Sequence, residues 1–183
     1  MKNLMVILLV IVAMGTVNAQ TIYSTKTGLA SFFSKTPMRD IKAKNDNVGV
    51  VLNTATREMV FVVSIKNFIF PDALMQEHFN ENYMESDKYP DANFKGKFNE
   101  KIDFTKDGIT NVTATGKLKI HNVEKEVTEK GTVTVKDGKI SLHSEFNVEI
   151  KDYNITIPKV VFDDIAKTIL ITIDSPLTLH VKK

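Results

Sequence analysis

The chain has no cysteine among its 183 residues. Disulfides, thiol nucleophiles and thiolate metal sites are therefore excluded, and the fold has to stand on its apolar core. It also lacks an excess of one charge. Lys and Arg number 24 against 22 Asp and Glu, a formal net charge of +2. The two signs are interleaved without a basic run, so neither nucleic acid nor an anionic membrane surface is an expected partner. Repeats, low-complexity tracts and linkers are absent, and the length suffices for one domain with a core of its own. G-x-S-x-G, P-loop and H-E-x-x-H motifs are missing as well, so the expectation is a protein that is not an enzyme.

What is present begins with a leader. Lys2 supplies a positive charge, Leu4 to Met14 form an apolar run, and Val17-Asn18-Ala19 has the small-residue spacing of a cleavage site. The run is too short to span a bilayer comfortably, so residues 1–19 read as a secretory signal peptide. Cleavage after Ala19 leaves 20–183 as a periplasmic or secreted domain with no integral membrane segment and no cysteine for lipid attachment.

The second half of the chain alternates. Thr110, Val112, Ala114, Gly116, Leu118 and Ile120 share one face, and Asn111, Thr113, Thr115, Lys117 and Lys119 the other. The parity flips at His121-Asn122, after which Val123, Val127, Val133 and Val135 align. Asp137-Gly138 is a two-residue turn, followed by Ile140, Leu142, Phe146 and Val148, and later by Ile169, Ile171, Ile173, Leu177, Leu179 and Val181. Half-buried antiparallel strands have this period of two. Earlier, Phe94, Gly96, Phe98, Ile102 and Phe104 share a face. Met59 to Ile65 is apolar on both, through Phe61 and Val63 on one side and Val60 and Val62 on the other. The count is about eight strands, which favours an antiparallel barrel, mainly β.

One stretch breaks the pattern. Leu74, Met75, His78 and Phe79 recur at helical spacing, which predicts a short helix over roughly 73–83. Such a helix lids or braces a barrel, and the outer face of the Met59–Ile65 strand is the surface it would cover. Its Glu77, Glu81 and Glu85 row reads as a solvated face, since a line of carboxylates does not converge on a metal. His121, His143 and His180 fall on the polar strand face and read as surface histidines. His78 lies on the apolar side. Ala114, Gly116, Gly131 and Ser144 sit at inward mid-strand positions. Either they leave volume for a ligand, or the glycines mark bends and bulges that let the barrel close. Ala114 and Ser144 favour a cavity.

Three segments together carry a resemblance. Gly116-Lys117-Leu118-Lys119-Ile120-His121-Asn122-Val123-Glu124-Lys125-Glu126-Val127 resembles the G-x-L-T-I-H-G-V-T-K-x-V hairpin of the YceI-like family, with Asn122 where Gly is usual and Glu124 where Thr is usual. Asp72-Ala73-Leu74 through Phe79, Lys88-Tyr89-Pro90 and Phe94-Lys95-Gly96 resembles its helix-to-strand segment. Phe146-Asn147-Val148 and Asp152-Tyr153-Asn154-Ile155 resembles its strand end. The resemblance implies a lipocalin-like barrel with one helix, exported to the periplasm or beyond, that binds a long polyisoprenoid inside the barrel. A polar head group would sit at the barrel mouth.

The reading is thus a non-catalytic lipid-binding protein whose partner is an apolar lipid of isoprenoid or quinone type, with no other cofactor and no metal. The candidate ligand-binding residues are Phe61, Phe68, Phe70, Leu74, Met75, His78, Phe79, Phe94, Phe98, Ala114, Leu142 and Phe146. No catalytic residue is expected. A lipid-linked redox or enzymatic accessory, with His78 as its polar group, is one alternative, and a ligand-free structural or stress-response barrel is another. Mass spectrometry of the exported protein should read Gln20 as its first residue. An intact leader on that protein would overturn the cleavage site.

Overall fold

The computed structural model describes residues 21–158 and 164–180. The expected leader and Val181 lie outside the described residues. Eight antiparallel strands follow one another round a closed barrel: β1 (Ile22–Lys35), β2 (Asp40–Asn53), β3 (Glu58–Ser64), β4 (Asp91–Phe98), β5 (Gly108–Ile120), β6 (Val123–Lys136), β7 (Lys139–Glu149) and β8 (Thr168–Leu179). β8 returns to pair with β1. The β3–β4 connection carries helix α1 (Ala73–His78), which runs on into a π-helical turn over Phe79–Tyr83. Asp72 caps α1, its Oδ1 accepting from the backbone N–H of Leu74 at 2.9 Å and Met75 at 3.2 Å.

Two tight turns set the register of the later strands. His121 and Asn122 both have positive φ, as do Asp137 and Gly138, the conformation that suits a two-residue hairpin between right-twisted strands. Asn tolerates this region, which is why Asn122 serves where glycine is usual in the resembling hairpin.

The end of the barrel that carries the β2–β3, β4–β5 and β6–β7 turns holds a buried apolar cluster. Leu52, Val133, Ile140 and Leu177 are buried there, and Ile102 and Phe104 of the β4–β5 loop pack against the same cluster. The Arg57 guanidinium ties the loops together, donating from Nη1 to the carbonyls of Asn99 at 2.8 Å and Glu100 at 2.9 Å. Leu179, expected inward, is exposed at this rim because β8 has run past the core.

The opposite end is built differently, because two pairs of strands part company before reaching it. β2 and β3 pair only from Gly49↔Val62 to Leu52↔Met59, and β6 and β7 only from Gly131↔Ser144 to Lys136↔Lys139. Above those rungs each pair leaves a seam. Phe68–Phe70 fills the first seam, where Ile69 exchanges both backbone hydrogen bonds with Lys44 at 3.1 and 2.7 Å. Alternation then turns Phe68 and Phe70 inward, buried, and leaves Ile69 exposed. Buried Asn45 completes this seam, donating from Nδ2 to the Ser64 carbonyl at 2.8 Å while its Oδ1 accepts from Asn47 N–H at 2.8 Å. Over the second seam lies the 3-10 turn Ile150–Tyr153. Buried Tyr153 clusters there with Leu118 and Val148, and Val123 and Val127 of β6 pack against them.

Two expectations are corrected. The helix does not cover the outer face of β3: Val60 and Val62 are exposed. Phe79 instead anchors the helical segment inside the barrel's upper end, against Phe32, Phe68 and Phe70. Gly116 marks neither a void nor a bulge. It pairs with Gly96 in an unbroken register, and the two strands approach so closely that a Cβ on Gly116 would stand 2.4 Å from Gly96 Cα. The Phe94 ring covers Gly96, 2.5 Å from where its Cβ would be. Because the obstacle is backbone, Gly116→Ala should destabilise the barrel by about 2–4 kcal/mol. The shift of the urea midpoint measures this, and an unchanged midpoint would show that β4 and β5 can separate freely.

Candidate ligand-binding cavity

Alternation aims apolar side chains of the parted strands into space that the lower core does not fill. An upper cavity of about 410 Å³ lies beneath α1. A second, of about 110 Å³, lies deeper and toward the β6–β7 side. Val63, Ala92, Phe146 and Ile173 border both, so the two form successive chambers of one interior.

The upper chamber is walled by aromatic and branched side chains. Phe32 of β1, Phe68, Phe70 and Phe79 form a ring cluster, with centroids 5.5 Å apart for Phe32–Phe68 and 5.0 Å for Phe70–Phe79. Such contacts add about 0.5–1.5 kcal/mol per pair beyond the area they bury. Gln76 supports the arrangement by accepting from Phe70 N–H at 3.1 Å through Oε1. The π turn brings Tyr83 and Met84 to the same wall. Polar groups gather there in small number: Ser34, Arg39, Asp72, His78, Tyr83 and Asp164. Burial, and then the negative charge of Asp164, hold the Tyr83 hydroxyl above its ordinary pKa. Ser34 is satisfied, its Oγ accepting from Ala166 N–H at 2.9 Å.

The deeper chamber is almost entirely apolar, with one carboxylate, that of Glu129, among its lining residues. Burial raises the Glu129 pKa.

The sequence-predicted residues divide between the chambers. Phe68, Phe70, Leu74, Met75, His78 and Phe79 line the upper one. Phe61, Phe94, Phe98, Ala114 and Leu142 line the deeper one, and Phe146 stands between. Leu74 is the outlier, because its side chain is largely in water at the rim. Sequence reasoning missed Ala30, Phe32 and Ile41, which also line the upper chamber. The period of two in Ala30, Phe32 and Ser34 is the signal that could have found the β1 wall. Tyr83 falls outside the helical spacing of Leu74, Met75, His78 and Phe79, because the π turn changes the period.

His121 is a further correction. Parity placed it on the surface, yet its side chain is only 9% exposed. It ends β5 in a left-handed turn residue, and that φ swings the ring off the strand's polar face. Nε2 lies 3.0 Å from Glu85 Oε2 and Nδ1 3.2 Å from the Tyr153 carbonyl, while Tyr89 packs edge-on at 4.4 Å. Both partners are acceptors, so a ring carrying two protons satisfies both. Three of the four upper connections meet at this side chain. Glu85 thereby leaves the solvated row, whereas Glu77 and Glu81 stay exposed. His143 and His180 are exposed, beside Asp174 and Ser24.

A closed eight-stranded barrel with an apolar interior capped by one short helix defines the class. The YceI-like domain matches residues 17–177, and the chain belongs to that family. No curated protein matches it. Among solved structures it is similar to a polyisoprenoid binding domain from Saccharophagus degradans implicated in plant cell wall breakdown. That match has 12% identity and a TM-score of 0.76 over 88% of this chain and 99% of that one. It is also similar to Burkholderia cenocepacia BcnA, at 14% identity and a TM-score of 0.69 over 82% and 96% of the two chains. The Campylobacter jejuni YCEI protein matches at 18% identity, with a TM-score of 0.56 over 74% and 81%. At these identities the likeness is one of fold.

His121→Ala removes the clip between the upper connections. It should lower stability by about 2 kcal/mol and speed amide exchange at Glu85–Tyr89 and Ile150–Tyr153 before the lower strands. Uniform acceleration throughout the barrel would contradict this local role.

Proposed function

We propose that the chain is an exported, non-catalytic binding protein that holds a long apolar lipid of isoprenoid type inside the barrel. The observation that carries the reading is the upper chamber. Its volume of about 410 Å³ falls within the range of ligand sites, roughly 300–1,000 Å³, and its walls are mostly apolar. Water gains little there, since few polar partners are available to it. An apolar chain gains about 25 cal/mol for each Å² it removes from water. The Phe32, Phe68, Phe70 and Phe79 cluster and Met75 supply large, adaptable contact surface. The family and the polyisoprenoid-binding neighbour support the same class of ligand.

Export rests on the leader, and the non-catalytic reading on the missing catalytic motifs. Only a small set of polar groups borders the upper chamber, so most of the contact it offers a ligand is apolar. The unfilled interior weighs against a ligand-free structural barrel.

Protein purified from native expression should release an isoprenoid lipid into organic solvent, identified by mass spectrometry at close to one equivalent. Met75→Trp, which fills the chamber from the α1 side, should cut that yield at least several-fold with the fold retained by circular dichroism. Absence of lipid from the native protein, together with no uptake of added isoprenoid, would sink the reading.

A further inference from the structure

The seam between β6 and β7 is covered from above by the Ile150–Tyr153 turn but is not zipped by backbone hydrogen bonds. Residues Val123–Lys130 of β6 pair with β5 alone, and Glu145–Glu149 of β7 with β8 alone. The zipper between them ends at Gly131↔Ser144, where Ser144 Oγ donates to the Lys130 carbonyl at 2.6 Å. The deeper chamber reaches this point, for its wall includes both strand edges, Glu129–Gly131 on one side and His143–Ser144 on the other.

Glu129 stands at the foot of the seam. It shares the inward parity of Val127 and Val133, whereas Lys130 and His143 fall on the outward parity. Among the described residues no group hydrogen-bonds to its carboxylate or forms an ion pair with it. Two polar groups along the seam are engaged elsewhere, Ser144 with the Lys130 carbonyl and Lys125 with Asp152 at 3.1 Å. The Tyr153 hydroxyl, held above its ordinary pKa by burial and then by the charges of Asp152 and Glu129, lies within range of the carboxylate without hydrogen-bonding to it. An inward carboxylate left without a partner in an apolar chamber costs stability. Burial raises its pKa, in keeping with a carboxylate set at the edge of the chamber.

We infer that the β6–β7 seam is a second opening into the barrel and that Glu129 at its foot binds the terminal hydroxyl of a long isoprenoid alcohol. This inference rests on the lipid-binding reading above and adds the head-group chemistry and the direction in which the ligand lies. The apolar chain runs from the deeper chamber into the upper one through the shared wall of Val63, Ala92, Phe146 and Ile173, and ends beneath α1. The hydroxyl donates to the Glu129 carboxylate at the seam. A phosphate head would be repelled by that carboxylate. An ammonium would have to be stripped of water among apolar walls against a single half-buried acid, whereas a hydroxyl is far cheaper to bury. A hydrocarbon or an ester leaves the acid unpaired. Glu129 is thus a specificity residue, while most of the affinity comes from the apolar walls.

The test compares geranylgeraniol with geranylgeranyl acetate, which has the same chain but no hydroxyl proton. The wild-type protein should bind the alcohol about tenfold more tightly than the ester, the ratio expected for one hydrogen bond to a charged group. Glu129→Leu should bring the two ligands within about twofold of each other, mainly by improving binding of the ester, and Glu129→Gln, which can still accept, should keep part of the preference. Because the chain has no cysteine, an environment-sensitive maleimide dye can be placed singly. At Lys130→Cys its emission should respond more strongly to the alcohol than to the ester, and at Leu74→Cys, on the upper rim, the two ligands should act alike. An alcohol-to-ester ratio that is the same in wild type and Glu129→Leu overturns the inference while leaving lipid binding intact, as does a hydroxyl-dependent signal at Leu74→Cys alone. Failure of the wild-type protein to bind either compound removes the lipid reading and this inference together.

Discussion

The structure depends on how its backbone hydrogen bonds close round the barrel. Every buried N–H and C=O must find a partner, and over most of the barrel each strand finds it in its neighbours. In the upper half two of the eight strand pairs do not. The strands there stand further apart than a ladder allows, and the interior widens from a packed core into two chambers. A cavity in this barrel is therefore a consequence of incomplete pairing more than of small side chains. The Gly96–Gly116 pair illustrates the point, since these glycines bring two strands together and a phenylalanine ring covers the place.

The parted strands create a second requirement, which the long connections meet. Phe68–Phe70 lends β2 the partner that β3 withdraws, and the same alternation turns two rings into the interior. Ile150–Tyr153 shields the β6–β7 seam with a buried tyrosine. The α1 segment closes the top through Phe79, and His121 clips it to the β5–β6 turn and the β7–β8 connection. The segments that complete the barrel are thus the same ones that line its upper chamber. Binding and stability cannot be separated at this end, while the lower end is core alone. The proposed ligand would rest on surfaces that the fold must build in any case, with Glu129 an inward carboxylate that no hydrogen bond or ion pair among the described residues uses.

Much of this was legible in the chain. Alternation from Thr110 to Val148, interrupted at the His121-Asn122 and Asp137-Gly138 turns, marks half-buried strands, because the side-chain period of a strand is two. Asp137-Gly138 marks a hairpin because its backbone needs positive φ. The Leu74, Met75 and Phe79 spacing marks the helix. The misreadings share one cause, that parity tells which face a side chain leaves from but not what meets it. Val60 and Val62 looked as if they needed a cover and have none. His121 had the parity of a surface residue, yet its turn φ swings it under two connections distant in sequence. Glu129 lay on the inward parity in plain sight, hidden by the polar residues around it.

The sequence by itself determined the local terms: strands, hairpins, one helix and a cysteine-free core. These follow from backbone sterics, side-chain period and composition, which act over a few residues. Only the tertiary structure decided where pairing stops, which connection fills each seam, and which side chains then face the empty interior. Those outcomes depend on strands such as β2 and β3, or β6 and β7, being drawn apart by contacts with segments tens of residues away, and no short-range pattern records that.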